Sequence, residues 1–126
     1  MFLNKKILIV EDDNNMRNAI KRIIKQSMQS VEFLERESGE EILKIVENSK
    51  PNLILLDVLM SGMNGLQVLK VFKGDENIEI RRIPVIMLTG VGNREINEKA
   101  RKLGAADYIT KPFSEKLLLM KIKNYL

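Results

Sequence analysis

Three carboxylates, one hydroxyl and one amine stand where short apolar segments of this chain come to an end. They are Glu11 and Asp12 after Lys6–Val10, Asp57 after Asn52–Leu56, Thr89 after Ile83–Leu88, and Lys111 shortly after Ala105–Ile109. If the fold brings the ends of these segments together, the carboxylates repel one another unless a cation lies between them. The pattern therefore predicts a cation site built from acids in distant parts of the chain.

The composition restricts which cation such a site could hold. The 126 residues include neither histidine nor cysteine, which removes the usual protein ligands of zinc, copper and iron–sulfur clusters. The remaining class is a hard ion with oxygen ligands, namely Mg²⁺, Ca²⁺ or Mn²⁺. Mg²⁺ usually combines one or two carboxylates with water and phosphate oxygens. Because the lysine also favours phosphate, the sequence predicts Mg²⁺ together with a phosphate-bearing ligand.

Short apolar runs alternate with amphipathic segments along the chain. Lys6–Val10, Asn52–Leu56 and Ile83–Leu88 are nearly continuous apolar runs, which is typical of strands covered on both faces. Val31–Arg36 and Ala105–Ile109 are more mixed in composition. We expect the first three to be central strands and the last two to be edge strands.

Apolar residues between these strands recur at the i, i+3/i+4 spacing of amphipathic helices. The five stripes contain Ala19, Ile20, Ile23 and Ile24; Ile42, Ile45 and Val46; Leu66, Leu69 and Phe72; Ile96, Ala100 and Leu103; and Leu118, Ile122 and Leu126. Ser38 with Glu41 predicts a capping box for the second helix. Gly104 predicts the end of the fourth.

The alternation predicts one α/β domain over residues 1–126, with no output domain in this chain. Its core is a five-stranded parallel sheet with helices on both faces, the flavodoxin-like (βα)5 arrangement. Central and edge assignments give the strand order 2-1-3-4-5, with the winding reversed between strands 1 and 3. Ligands bind beyond the carboxyl ends of strands at such a reversal, which is where the candidate residues lie.

The residues after the strands exclude several chemistries. The loop Glu11–Asn15 is not glycine-rich, and no phosphate-binding P-loop pattern is present, which argues against dinucleotide binding and nucleotide hydrolysis. A dehalogenase-type phosphatase would need a second aspartate two residues after Asp57, where this chain has Leu59. Asp13 is predicted to be a helix-entry residue. An aspartate that accepts a phosphoryl group covalently remains.

In this order and spacing, the motifs resemble the receiver domain of two-component response regulators, the chemotaxis regulator among them. The matching segments are Ile7–Asp13, Leu56–Met60 through Gly65, Pro84–Gly90, Gly104–Tyr108 and Lys111–Phe113. The resemblance covers essentially the whole chain. Two positions depart from the family pattern, because Ser61 stands where proline is usual and Asn64 stands where an acid is frequent.

The resemblance implies a role for each candidate residue. It implies that Asp57 is the phosphoacceptor, and that Mg²⁺ is bound by Asp57, Asp12, Glu11 and the backbone carbonyl of Leu59. Lys111 and Thr89 would contact the phosphoryl group. Tyr108 would be a switch that turns inward. The resemblance further implies a cis Lys111–Pro112 bond. The apolar residues Leu59 and Val91 imply slow self-dephosphorylation. Such a protein is a signalling phosphoprotein that catalyses only its own phosphoryl transfer and its loss.

The resemblance also implies partners. A sensor histidine kinase or a phosphotransfer protein would supply the phosphoryl group, and an output domain or partner protein would read the switched face. That face comprises the fourth helix, the fifth strand and the fifth helix, and a homodimer would form through the same face.

Two alternatives remain open: a non-phosphorylated interaction module on the same fold, and a basic nucleic-acid binder, given the net charge of +4. Scattered basic residues disfavour the second. No apolar run approaches the ~20 residues of a membrane span, so a cytoplasmic protein is expected.

Overall fold

The computed structural model describes residues 4–36, 41–60, 62–90, 92 and 94–126. Strands and helices alternate through them. The strands are β1 (Lys6–Val10), β2 (Glu32–Arg36), β3 (Leu53–Asp57), β4 (Val85–Gly90) and β5 (Asp107–Lys111). The helices are α1 (Asn14–Ser27), α2 (Ile42–Ser49), α3 (Gly65–Lys73), α4 (Arg94–Lys102) and α5 (Glu115–Tyr125).

The five strands form one parallel sheet in the order β2-β1-β3-β4-β5. The predicted order 2-1-3-4-5 is confirmed, with β1, β3 and β4 central and β2 and β5 at the edges. The burial follows the same division, since all the residues of β3 are buried whereas the outer strands are only partly buried.

Alternate residues of each central strand enter two separate apolar cores. In β1, Leu8 and Val10 face the core shared with α2, α3 and α4, whereas Ile7 and Ile9 face the core shared with α1 and α5. This period of two is why the central strands read as unbroken apolar runs, because both faces of the sheet are covered. The sheet is therefore held from both sides, and its carboxyl edge presents the loops that carry the candidate residues.

The strand boundaries differ from the predicted ones toward the carboxyl end. Pairing continues through Asp57 in β3, through Thr89 and Gly90 in β4, and through Lys111 in β5. Ile83 does not belong to β4; its N–H is instead donated to Ile80 O in a turn. The apolar pattern did not predict these longer strands because the added residues are polar. Their backbone groups nevertheless continue the hydrogen bonding of the sheet. Asp57, Thr89 and Lys111 are therefore held by the sheet rather than by loops.

Two short elements are absent from the sequence prediction. Leu59–Met60 and Met63–Asn64 form a small antiparallel hairpin directly after β3. A one-turn helix, Ile78–Arg81, lies between α3 and β4. Each is shorter than the window over which a hydrophobic period can be recognised.

The helix ends carry identifiable caps. The side chain of Asp13 accepts hydrogen bonds from Asn15 N and Met16 N at the start of α1, so the prediction that it is a helix-entry residue is confirmed. Gly104, with φ of +105°, follows α4 as predicted. Of the predicted capping box, Ser38 lies outside the described residues. Glu41 is the residue immediately before α2, and its side chain makes no capping hydrogen bond.

The Lys111–Pro112 peptide bond is cis, as the resemblance implied. No helix in the described part of the chain is long and apolar enough to span a bilayer.

Candidate functional site

Strand register brings the first two acids together. Val10 of β1 lies opposite Leu56 of β3, so the next residues, Glu11 and Asp57, lie side by side at the carboxyl edge of the sheet. One carboxylate oxygen from each of Glu11, Asp12 and Asp57 lies within 4.8 Å of the other two. Glu11 is 1% exposed and Asp57 is 6% exposed, whereas Asp12 is exposed. Two buried acids and one exposed acid thus share one site.

The ammonium group of Lys111 joins the two buried acids. Its Nζ lies 2.6 Å from Glu11 Oε1 and 3.0 Å from Asp57 Oδ2. Lys111 is the last residue of β5, and β4 lies between it and Asp57 in the sheet. The aliphatic part of the side chain spans this distance while the charged end reaches the acids. The site therefore contains its own counter-ion.

Burial and proximity change the proton affinities of these groups. Burial, with the hydrogen bond to Asp57, raises the pKa of Glu11 to about 7, although Lys111 opposes the rise. Burial lowers the pKa of Lys111, but the hydrogen bonds to Glu11 and Asp57 outweigh it and the net pKa is raised. Lys111 therefore stays protonated, whereas Glu11 exchanges its proton near neutral pH.

The backbone after β3 fixes the Asp57 side chain. The N–H of Leu59 donates to Asp57 Oδ1 at 3.1 Å, so both carboxylate oxygens have donors. Gly65, the first residue of α3, donates its N–H to Val58 O at 2.7 Å. A Cβ at Gly65 would lie 2.2 Å from Asp57 O. Only glycine therefore permits α3 to begin so close to the end of β3.

Asn64 explains one of the two departures from the family pattern. Its side-chain Oδ1 accepts the N–H of Leu66 at 2.9 Å and caps α3. Asparagine and aspartate cap helices about equally well, so the loss of the acid leaves this contact intact. The other departure, Ser61, lies outside the described residues.

Thr89 contributes a hydroxyl without a partner. The residue is 1% exposed, and among the described residues its Oγ1 has no hydrogen-bond partner. Beside it, Asp57, Val58, Leu59, Gly90 and Lys111 line a cavity of about 190 Å³. A buried hydroxyl without a partner is unfavourable. Thr89 itself does not line the cavity, so its hydroxyl would have to turn toward a ligand there to gain the missing bond.

Tyr108 contacts the helices beside β5. The guanidinium of Arg101 on α4 lies 5.6 Å from its ring centroid, and the ammonium of Lys121 on α5 lies 5.2 Å from it. Lys121 is itself held by Asp107 Oδ1 at 2.9 Å and by the Tyr108 carbonyl at 2.7 Å. The structure thus gives Tyr108 its partners on α4 and α5, and the switch role stays a prediction.

The donor set fits a hard divalent cation. The three acids offer oxygen atoms only, at separations that one ion can bridge, and one acid is open to water. Mg²⁺ is commonly bound by one or two carboxylates, with water and phosphate oxygens completing the octahedron, so the cluster offers enough acids for it. Glu11, Asp12 and Asp57 therefore suit the cation that the sequence predicted. Their roles as metal ligands and phosphoacceptor, like those of Lys111, Thr89 and the Leu59 carbonyl, stay predictions.

Arg17 was missed by the sequence analysis. It lies on the buried face of α1 with Ile20 and Ile24, and its side chain contacts the backbone of Glu11. The spacing 17, 20 and 24 continues the apolar stripe toward the N-terminus. An arginine on a stripe that faces the core is a signal of a buried, partnered charge.

Comparison with known proteins gives one family. The model of the response regulator receiver domain matches residues 7–123. The phosphate regulon transcriptional regulatory protein PhoB of Pseudomonas aeruginosa is 36% identical over 122 residues, covering 96% of this chain and 51% of that protein. The polar-differentiation response regulator DivK of Brucella ovis is 35% identical over 124 residues, covering 98% of each. The chain thus spans about half the length of its phosphate-regulon relatives.

Solved structures agree with the sequence relatives. A putative response regulator from Chloroflexus aurantiacus superimposes with a TM-score of 0.87 at 27% identity, covering 97% of each chain. The receiver domain of NtrX from Brucella abortus gives 0.84 at 28% identity, covering 95% of this chain and 97% of the other. Both chains share the fold over nearly their full length.

Proposed function

This chain belongs to the response regulator receiver domain family, and on that premise we propose that Asp57 accepts a phosphoryl group from a histidine kinase. One observation carries the proposal. Asp57 is a buried carboxylate between the ammonium of Lys111 and a cavity, next to a strand end that bears a buried hydroxyl without a partner among the described residues. Each of these groups can contact a phosphoryl oxygen.

In the proposed reaction a carboxylate oxygen of Asp57 attacks the phosphorus of a phosphohistidine. An O–P bond forms, the P–N bond breaks, and the imidazole of the kinase or phosphotransfer protein leaves with the electron pair of that bond. These 126 residues contain no histidine, so the phosphohistidine must lie outside them, or the donor must be a small phosphodonor. We expect this exchange to take place in the cytoplasm.

The residues around Asp57 have separate tasks in this proposal. Bound Mg²⁺ would supply positive charge that stabilises the phosphoryl oxygens during transfer. Glu11, Asp12, Asp57 and the Leu59 carbonyl would hold that ion. Lys111 would keep its contact with Asp57 Oδ2 and turn toward the incoming oxygens. The hydroxyl of Thr89, which has no partner among the described residues, would donate a hydrogen bond to a phosphoryl oxygen.

The attached group carries up to two negative charges, and we propose that it draws Thr89 toward it. Movement of Thr89 would favour an inward Tyr108 and loosen the contacts of its ring with Arg101 and Lys121. The face formed by α4, β5 and α5 would then change its packing for an output domain, a partner protein or a second copy. Couplings of this kind are typically worth about 1–3 kcal/mol.

The test is incubation of the chain with a small phosphodonor and Mg²⁺, followed by intact mass. We expect the mass of one phosphoryl group to be added, and lost on treatment with base or hydroxylamine, which attack acyl phosphates. Asp57→Asn and a sample with chelator should gain nothing.

Lys5→Met, far from the site on the exposed start of the chain, serves as the control and should behave like wild type. An unmodified wild type would instead favour the non-phosphorylated interaction module.

A further inference from the structure

Arg17 is an almost fully buried guanidinium at the edge of the candidate site. The residue is 5% exposed, although a buried charge is unfavourable unless it is paired and hydrogen-bonded. Its role is not explained by packing alone, because an apolar residue at this position of the α1 stripe would bury more apolar surface at no electrostatic penalty.

The guanidinium connects three parts of the chain. One terminal nitrogen donates to the backbone carbonyl of Glu11, and the other donates to Asn14 Oδ1 at 2.9 Å. Its Nε donates to Glu35 Oε1 on β2 at 3.3 Å. Lys21 binds the second oxygen of Glu35 at 2.9 Å. The rigid fork of arginine can make these bonds in different directions at once, which a lysine cannot.

These contacts hold Glu11 from both sides of its backbone. The Glu11 N–H is donated to Arg36 O of β2 at 3.1 Å, and its C=O accepts from Arg17. That C=O belongs to the planar peptide group that also contains the Asp12 N–H. Holding this plane restrains ψ of Glu11 and φ of Asp12, and so limits the directions in which the two side chains leave the backbone. Two of the three clustered carboxylates thus depend on the orientation that Arg17 sets.

We propose that Arg17 is a positioning residue for the divalent cation, acting through the Glu11–Asp12 peptide group. The inference rests on the proposed function, since it assumes that the three acids bind Mg²⁺. Arg17 lies on α1 and is neither a proposed ligand of the cation nor a proposed contact of the phosphoryl group.

If Arg17 acts through its charge, its replacement changes the Mg²⁺ affinity in one direction; if it acts by positioning Glu11 and Asp12, the affinity changes in the opposite direction. Removal of a positive charge near the acids should strengthen Mg²⁺ binding if Arg17 acts only through its charge. Loss of the bond to the Glu11 carbonyl should weaken it if Arg17 acts by positioning. Partners that orient metal ligands typically change metal affinity by on the order of 10- to 100-fold.

The experiment is calorimetric titration of Mg²⁺ into wild type, Arg17→Met, Arg17→Lys and Lys21→Met, with circular dichroism to verify folding. Lys21→Met is the matched control, because it removes a cation from the same Glu35 carboxylate without touching Glu11. We expect Arg17→Met to bind Mg²⁺ about 10- to 100-fold more weakly, Arg17→Lys to lie in between, and Lys21→Met to bind as wild type or more tightly.

Wild-type affinity, or tighter binding, in Arg17→Met would overturn the inference and leave the proposed function standing. Absence of Mg²⁺ binding in wild type would overturn both. If Arg17→Met does not fold, Arg17→Met/Glu35→Gln also removes the acid that has lost one of its two cationic partners and keeps only Lys21, and this variant is judged by the same criterion. Arg17→Lys keeps the charge; if this folded variant binds Mg²⁺ as tightly as wild type, the inference is also overturned.

Discussion

The ammonium of Lys111 lies 2.6 Å from the carboxylate of Glu11, although 100 positions separate the two residues in the chain. The contact joins the end of β5 to the residue after β1, across two intervening strands. In the absence of a metal ion, Lys111 thus neutralises Glu11, and through its second contact Asp57. A metal ion that binds the same acids would share or replace this charge.

Lys111→Met should destabilise the metal-free protein by about 2 kcal/mol, because removal of one partner leaves buried carboxylates without their counter-ion. Part of the loss should return when Mg²⁺ is added, since a bound cation restores the missing charge. Urea unfolding with and without Mg²⁺ measures both effects. Lys123→Met, an exposed lysine on α5, is the control. If Lys111→Met and Lys123→Met were equally stable, with or without Mg²⁺, the result would contradict the proposal that Lys111 neutralises the buried acids.

The stability of the metal-free protein should decrease as the pH rises toward neutrality. The pKa of Glu11 is raised from 4.5 to about 7 in the folded chain, chiefly by burial. Between these values the folded state binds the proton that the unfolded state has released. The free energy of unfolding therefore falls across this range, by about 3 kcal/mol at most, and is level above it.

Because the chain has no histidine, no other side chain of ordinary pKa titrates between about pH 5.5 and 7.5. Urea unfolding at several pH values in this range, with chelator present, measures the effect. Glu11→Gln should give a nearly level profile. A wild-type profile as level as that of the variant would show that Glu11 is ionised throughout.

Thr89→Val should affect phosphorylation and the resulting change around Tyr108 without lowering the stability of the protein. The Thr89 hydroxyl is buried without a partner among the described residues, so its removal should leave stability unchanged or raise it by about 1 kcal/mol. If Thr89 contacts the phosphoryl group, the same variant should be modified more slowly and fail to alter the environment of Tyr108. Thermal unfolding and tyrosine fluorescence with and without phosphodonor measure the two. A clearly destabilised variant would mean that the hydroxyl has a partner in solution.

Gly65→Ala should destabilise the protein by about 3 kcal/mol, because the new Cβ would collide with the backbone oxygen of Asp57. Gly62→Ala is the matched control. A Cβ at Gly62 has nothing within 4 Å, and only its positive φ of 74° opposes the change, at about 1–2 kcal/mol. Denaturant unfolding of both variants measures the difference. Equal losses would show that α3 can retreat from β3 without penalty.

The phosphorylated form should lose its label slowly. Leu59, which lines the cavity at Asp57 and is 69% exposed, offers no group that could orient an attacking water; Val91, the second apolar residue in this prediction, lies outside the described residues. Intact mass after removal of the phosphodonor measures the decay. We expect a lifetime of minutes or more, shortened in Leu59→Asn. Loss of the label from wild type within seconds would contradict the prediction.

The sequence alone determined the sheet order and the meeting of the acids. A strand that is covered on both faces has a nearly continuous apolar sequence, and this pattern in Lys6–Val10 predicted a central strand. A parallel sheet collects the carboxyl ends of its strands at one edge, and Glu11 and Asp57 therefore had to lie close together once the order was known. Local patterns and one rule of topology were sufficient for this part.

Only the tertiary structure decided how each charge is satisfied. The ammonium of Lys111 reaches Glu11 as well as Asp57 from a distant part of the chain. Arg17 holds the Glu11 carbonyl, and Gly65 packs on the Asp57 backbone. These contacts join different parts of the fold. They depend on distances of a few ångströms, which hydrophobic periodicity does not encode. The sequence specifies which residues share an edge of the sheet, whereas side-chain packing selects the partners that each of them contacts there.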